Sequence, residues 1–406
     1  MNKKIPFSPP DISRLEIKKI NKVLKSGWIT TGPNVIEFEN KIKEYCKTDF
    51  AIALNSATAA MELLLRILDV GPNDEVITSC YTYAATANVI VHRGAKPVLV
   101  DVEKDRFQMD LLKLEKAITD KTKVIMPVDF GGVPERYDQI KDILTKIGRE
   151  DIVILADSAH SFGSKYKGNI IGTQADFHTF SFHAVKNLTT AEGGAIVFNK
   201  NNIKIKNSNV NLVLDENLQK KMKIIALHGQ SKDAFAKLKP GAWEYDIIAD
   251  GFKCNMTDIM AAFGLGQIER FDMMLNKRKK IHDIYSEYLK EYDWAILPFD
   301  KDEQGTNSNY HLYPLRIKNF TLEKRNKLII NMAEKQIATN VHFIPLPMFS
   351  FYKSLGYKIE DYPNAFNQFE NEISLPIYST LKPKDARYVV ENLIDEVKKL
   401  ITNQSY

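Results

Sequence analysis

Lys186 stands in the segment SFHAVKNLTTAEGG (181–194) among small, polar and aromatic neighbours, with Glu192 as the next charge. A lysine so placed loses its proton more readily than a solvated one and can act as a nucleophile, the first need of an amine that bonds an aldehyde. Asp157 closes the apolar run IVILADS (152–158) and is followed by AHSFG. A carboxylate at the end of a buried strand needs a cation or hydrogen-bond donors, and a protonated ring nitrogen supplies both. Upstream, Ser56, Ala57, Thr58 and Ala59 sit where FAIALNS (50–56) meets a helical pattern. Backbone N–H groups at a helix start, with hydroxyls beside them, hold an anion such as phosphate. Ser181 can add a hydroxyl, Tyr83 in SCYTYAATAN can stack on a flat ring, and His160 can approach that ring. An amine, a carboxylate, a phosphate cradle and an aromatic cover are together what pyridoxal 5'-phosphate (PLP) chemistry requires.

Each residue also has an ordinary reading. Lys186 fits a surface lysine of a Lys-rich chain, Asp157 and Ser56 fit helix caps or turn residues, Tyr83 a core aromatic, and His160 a hydrogen-bonded histidine. Order and placement speak for the chemical reading, because the residues fall at the ends of successive apolar runs. The carboxyl ends of strands are where α/β sheets gather ligands.

The elements that must position these residues follow from hydrophobic patterning. Seven strand candidates lie between 50 and 199: FAIALNS (50–56), EVITS (75–79), KPVLVDV (96–102), KVIMPVDF (123–130), IVILADS (152–158), FHTFSF (177–182) and GAIVFN (194–199). Several are apolar at successive positions, the mark of strands buried on both faces in a mainly parallel sheet. Between them, 57–69 carries Met61, Leu64, Leu65 and Leu68 on one helical stripe, and 134–147 opens on a helix-compatible proline. Repeated strand–helix–strand units predict an α/β fold. Past about residue 251 the pattern changes to a long helical region over 257–292, then strand-like runs (HLYPLRI, ATNVHFIP) and helices (LEKRNKLIINMAEKQ, PKDARYVVENLIDEVKKL). The division expected is a large domain over 1–270 with a seven-stranded sheet and a smaller α+β domain over 271–406.

The balance of 56 Lys and Arg against 51 Asp and Glu leaves a net charge of +5, mild for 406 residues. It excludes no anionic small molecule and gives no sign of nucleic-acid or membrane binding. The N-terminal MNKKIPFSPP lacks the apolar core of a signal peptide, and the uncharged stretch 76–91 is too short and polar to span a bilayer. Three scattered cysteines, Cys46, Cys80 and Cys254, predict no disulfide and no Cys-based zinc site, and no metal is expected in the site. A reducing compartment fits, and the expected location is the cytoplasm.

Nearly end to end, the sequence resembles the DegT/DnrJ/StrS-type sugar aminotransferases, a branch of the aspartate aminotransferase-like (fold type I) PLP enzymes. GWITTGPNVIEFE (27–39), NSATAAMEL (55–63), YTYAATANVI (81–90), LADSAHSFGSKYKG (155–168) and SFHAVKNLTTAEGG (181–194) look like family segments in family order. GFKCNMTDIMAAFGLGQIERF (251–271), VHFIPLP (341–347) and ISLPIY (373–378) complete the set. The resemblance implies Lys186 as the lysine that bonds PLP and shuttles the proton, and Asp157 as the partner of the pyridine nitrogen. It places Tyr83 over the ring, Ala57, Thr58 and Ser181 on the phosphate, His160 near the ring substituents and His342 toward substrate. It also implies a homodimer with shared active sites, in which Lys253 of the GFKCN segment reaches the partner's phosphate; many members have Asn there. The implied reaction moves an amino group from glutamate, by way of pyridoxamine 5'-phosphate, to the keto group of a nucleotide-linked sugar, commonly a 4-keto-6-deoxy sugar. Such reactions serve amino-sugar biosynthesis for surface polysaccharide, glycan or secondary metabolite.

Two positions depart from the family pattern, Pro347 and Asp129, each where His is frequent, and both are expected to face substrate. Related PLP- or pyridoxamine-dependent sugar dehydratases replace the lysine with histidine, which Lys186 opposes. A non-catalytic regulator on the same fold usually carries a fused DNA-binding segment, and no helix-turn-helix pattern is present.

Overall fold

Apolar residues at every position of a strand must find cover on both sides, and they do so here. The computed structural model describes residues 4–204, 211–231 and 243–402. Its large sheet is built from β1 (Phe50–Leu54), β2 (Glu75–Ser79), β3 (Lys96–Val100), β4 (Thr122–Met126), β5 (Val153–Asp157), β8 (Phe177–Ser181) and β9 (Gly194–Phe198). The short strands β6 (Lys165–Tyr166) and β7 (Asn169–Ile170) form a hairpin of their own, as do β10 (Asn201–Lys204) and β11 (Asn211–Leu214). The seven expected strands are all present, in the order β1-β9-β8-β5-β4-β2-β3. Pairings are parallel except those of β9, which runs against both β1 and β8.

Neighbouring residues of one strand feed opposite cores. Phe50, Ile52 and Leu54 of β1 pack on the side that holds helices Ala57–Ile67, Ala84–His92 and Glu216–Ile225, while Ala51 and Ala53 pack on the side of Pro33–Cys46, Tyr137–Lys146 and Asp258–Glu269. The same alternation divides Val153 and Leu155 from Ile154 and Ala156 in β5. This two-sided burial makes the strands near-continuous apolar runs in the sequence.

The smaller sheet joins β12 (Ala295–Ile296), β13 (Tyr313–Ile317) and β14 (Glu372–Leu375), all antiparallel, under helices Phe271–Leu289, Leu322–Glu334 and Pro383–Thr402. Two expectations change here. The helical region over 257–292 is two helices, Asp258–Glu269 and Phe271–Leu289, broken at Arg270 (φ −110°, ψ 2°). No Pro or Gly marks the break; the Arg270 guanidinium is drawn to Glu16 and Asp11 of the N-terminal segment. ATNVHFIP forms no strand beyond one bridge between Asn340 and Ser374. Pro345 and Pro347 offer no N–H there, and the His342 amide is taken instead by the Glu372 side chain at 3.0 Å. Among the described residues no helix is long and apolar enough to cross a membrane, and Cys46, Cys80 and Cys254 are free and buried.

Candidate active site

The carboxyl edge of the sheet carries the site. β8 ends at Ser181 and β9 begins at Gly194, its register partner, so residues 182–193 form a loop pinned at both ends to that edge. Bonds from Phe182 N to Gly193 O and from Thr190 N to Phe182 O, both 2.8 Å, close it, and Lys186 N donates to His183 O at 2.9 Å. Lys186 is thereby held over the sheet with its side chain half-buried. Enclosure disfavours its charge and lowers the pKa to about 8, against the opposing attraction of Asp157.

Asp157, at the end of β5, is only 5% exposed. Its Oδ2 accepts from Thr86 Oγ1 at 2.6 Å and its Oδ1 from Ala159 N at 3.1 Å. Thr82 then donates to Thr86 at 2.9 Å, so a short hydroxyl relay braces the carboxylate. Burial raises the pKa of Asp157, while Thr86, Ala159 and Lys186 favour the charged form. A carboxylate has about four acceptor positions, so two donors leave room for a further N–H.

Gly194 also lies beside the start of helix Ala57–Ile67. A Cβ there would fall 2.3 Å from the Ser56 carbonyl carbon and 2.4 Å from Ala57 N, so only glycine lets the helix start abut the strand. Ser56 caps the helix, its Oγ accepting from Ala59 N at 3.0 Å, and Ser56 O accepts from Ala60 N. Among the described residues the amides of Ala57 and Thr58 are left with no protein acceptor. They line the same cavity as Ser181, which is the arrangement an anion needs at a helix N-terminus.

The cavity holds about 370 Å³. It brings together eight of the nine residues expected in the site: Ala57, Thr58, Tyr83, Asp157, His160, Ser181, Lys186 and His342. Tyr83, 65% exposed at the start of helix Ala84–His92, stands 5.9 Å from the ring of Phe343. His160 Nδ1 accepts from Gly131 N at 3.1 Å, which leaves the proton of the neutral ring on Nε2. Lys253, by contrast, lies outside the cavity of its own chain, exposed and bonded to Asn255 Oδ1 at 2.6 Å.

Four histidines line the cavity: His160, His183, His311 and His342. Burial, reinforced by the charge of Lys186, lowers His342 to about 3 and pushes His160 and His311 well below the usual histidine range. His311 is one residue that sequence reasoning missed. Its Nδ1 meets Asn187 Oδ1 at 3.1 Å, and its ring lies 4.4 Å from that of His160. The only trace in the sequence is the histidine that opens the run HLYPLRI, two residues before β13 begins. Thr86 was missed as well, although a hydroxyl one helical turn beyond Tyr83 is a legible pattern. His342 is fixed by Ser374 Oγ at 2.9 Å and by Phe7, stacked at 5.4 Å.

The expectation that Asp129 and Pro347 face substrate is corrected. Neither lines the cavity. Asp129 is fully buried and accepts from Glu135 N, Tyr137 Oη, Ser158 Oγ and Ser161 Oγ. Pro347 is buried in the turn Leu346–Met348. A group with four donors already directed at it serves the framework under the site.

These residues fit PLP: two unpaired amides and hydroxyls for a phosphate, an incompletely filled buried carboxylate for a ring nitrogen, and a lysine of lowered pKa for an aldehyde. Comparison with known proteins agrees with the chemistry. Residues 10–394 match the DegT/DnrJ/EryC1/StrS aminotransferase family. The spore coat polysaccharide biosynthesis protein SpsC of Bacillus subtilis is 37% identical over 398 residues, 97% of either chain. The structure of Spr1654 of Streptococcus pneumoniae, named for a sugar aminotransferase, superposes with a TM-score of 0.91 at 45% identity in its PMP-form, over 98% of this chain and all of that one. The PLP-form of the same protein gives 0.90. PseC of Helicobacter pylori, an aminotransferase involved in the biosynthesis of pseudoaminic acid, gives 0.87 at 27% identity over 98% of this chain and all of that one.

Proposed function

The chain belongs to the DegT/DnrJ/EryC1/StrS aminotransferase family, and from that premise we propose that it moves an amino group from glutamate to the keto group of a nucleotide-linked sugar. The observation that carries this reading is one cavity shared by Lys186, Asp157 and the unpaired amides of Ala57 and Thr58. PLP, when bound, supplies an aldehyde that takes up the amino group and a ring that spreads the electrons released at carbon.

The side chains do the rest. Ala57 N, Thr58 and Ser181 hold the phosphate, using the positive end of helix Ala57–Ile67. Asp157 keeps a proton on the ring nitrogen, and Thr86 and Ala159 hold its carboxylate in line. His160, with its proton on Nε2, donates to the ring's oxygen substituent. Tyr83 covers one face of the ring. Lys186 Nζ would take the proton from the donor's α-carbon and deliver it to the cofactor carbon that keeps the amino group, and would run the same transfer in reverse toward the sugar carbon. A pKa of about 8 leaves about a tenth of the free amine neutral at pH 7. His342 meets the sugar.

The active unit of this proposal is a homodimer with shared sites. Lys253 serves the partner's phosphate as a point charge, which accounts for its place outside the cavity of its own chain. Exposed apolar side chains at Tyr83, Val185, Trp243, Ile247 and Ile248 support such a contact surface. Free, buried cysteines fit a cytoplasmic setting. The large domain spans 1–270 and the small one 271–406.

The test is a single-turnover assay. Enzyme converted to the pyridoxamine 5'-phosphate form with glutamate is offered a panel of nucleotide-linked 3-keto and 4-keto sugars, including a 4-keto-6-deoxy sugar, and products are read by NMR. An aminated sugar with stoichiometric 2-oxoglutarate is the expected result; turnover of free sugars alone, or loss of a hydroxyl without amination, rejects the reading.

A further inference from the structure

Helix Phe271–Leu289 buries His282 to 3% exposure between Tyr310 and Tyr313, whose ring centroids each lie 5.1 Å away. Among the described residues neither nitrogen of His282 has a hydrogen-bond partner. A neutral imidazole has one N–H to give and one lone pair to fill, so two desolvated and unanswered nitrogens are a standing cost. A second orphan lies beside it. Oδ1 of Asp300, on the segment between β12 and β13, is also buried and unpaired. Asp283 completes the group, with its Oδ1 3.8 Å from His282 Nδ1. One ligand atom from each of His282, Asp283 and Asp300 falls within 4.8 Å of the others. The other charge facing the cluster is Lys279, whose Nζ holds the two oxygens of Asp283 at 2.8 and 2.7 Å and lies 5.9 Å from the Tyr310 ring centroid. Two carboxylates against one ammonium leave a negative cluster around an unsatisfied ring.

We propose that His282, Asp283 and Asp300 form a structural site for a divalent transition-metal cation, with Zn²⁺ the best match. An imidazole nitrogen and two carboxylate oxygens are ligand types that Zn²⁺ takes at about 2.0–2.2 Å in four-coordinate geometry, with water in the remaining position. Ca²⁺ asks for six or more oxygens, which this cluster does not have. Ligand atoms around such a cation stand about 3.4 Å apart, so the side chains must draw in by about an ångström, within the reach of two short aspartates. Asp283 keeps a second oxygen for Lys279.

None of the three lines the active-site cavity, and the inference does not rest on the aminotransferase reading. It does bear on the cavity wall. Asp300 O accepts from Ser308 N at 2.8 Å, and the chain runs on to His311 and Leu312, which line the cavity. A cation at the cluster ties this segment to helix Phe271–Leu289.

The experiment uses the holoenzyme, stripped of metal by chelation and gel filtration, then titrated with ZnCl₂ and in parallel with MnCl₂ and CaCl₂ by calorimetry. Metal retained after a second gel filtration is counted by plasma mass spectrometry. About one Zn²⁺ per chain is expected, binding about tenfold or more weakly in Asp300→Asn and in His282→Gln. Asp300 is half-buried on a connecting segment, so Asp300→Asn answers the question even where the helix variant folds poorly. Wild type without stoichiometric zinc overturns the proposal, and is the outcome if His282 and Asp300 merely share a proton. Equal affinity in Asp300→Asn and wild type overturns it too, because the cation then sits elsewhere.

Discussion

Replacing Lys186 by methionine should abolish transfer and yet stabilise the cofactor-free protein at neutral pH. The fall of the Lys186 pKa from 10.5 in solvent to about 8 states how much the fold disfavours the charged amine, and the attraction of Asp157 is already contained in that net value. Charging it in the fold costs up to about 3.4 kcal/mol; because the side chain is half-buried and reached by solvent, about 1–2 kcal/mol remains. Methionine keeps the unbranched stem and removes the charge. The pH dependence is the fingerprint. Below about pH 8 the amine is protonated in both folded and unfolded chains, and the full penalty is present. Between about 8 and 10.5 the unfolded chain binds more protons than the folded one, so wild-type stability rises with pH through that window. Lys186→Met lacks this rise, so the variant's advantage is largest at pH 7 and closes by about pH 10.5. Lysines whose pKa is raised by surface partners, such as Lys200 beside Glu216, cancel in the difference. The assay is urea unfolding of both cofactor-free proteins from pH 6 to 10.5. A difference that does not change with pH, or a variant less stable at pH 7, refutes the reasoning.

Thr86→Val removes the 2.6 Å bond to Asp157. A hydrogen bond to a charged group contributes about 1.5–3 kcal/mol, so single-turnover transfer should slow about 10- to 100-fold while cofactor affinity, measured by equilibrium dialysis, changes little. Gly194→Ala puts a methyl within 2.4 Å of Ala57 N and should weaken cofactor binding about tenfold or more, read by the same dialysis; unchanged affinity would mean that the helix start does not hold the phosphate. The pH–rate profile should show an acid limb near the Lys186 pKa of about 8 and no further limb between pH 6 and 7 from His160, His311 or His342, whose rings stay neutral throughout that range. A limb that vanishes in a His342→Asn variant would assign a titrating role to that ring.

The sheet was legible because burial on two faces forces a composition that no other element needs. FAIAL and VILAD read as strands for the same reason that their odd and even residues enter different cores. The reversal of β9 was not legible, since direction is set by the length of the connecting loop and by pairing with both β1 and β8. The break at Arg270 was equally hidden. Its cause is a pair of carboxylates, Asp11 and Glu16, more than 250 residues away in the chain, and nothing local to the helix reports it.

The same division runs through the site. Lys186, Asp157, Ala57, Thr58, Tyr83 and Ser181 each lie at or just past the end of a strand, so reading the strand was enough to place the residue at one edge of the sheet. The residues that set their properties do not share that tether. His311 arrives from the segment before β13, Phe7 from the N-terminus, and Glu372 and Ser374, which hold His342, from β14. Asp129 shows the reverse error, since it follows a strand end and sits next to the site, yet Ser158, Ser161 and Tyr137 turn it inward. A strand end fixes where a side chain begins; whether it points into the cavity depends on which donors surround it, and those donors come from distant parts of the chain. On the proposed function, a variant of His311 or Phe7 should alter which keto sugar is accepted more than it alters cofactor capture, and a variant that loses cofactor affinity with its sugar preference unchanged would count against that division.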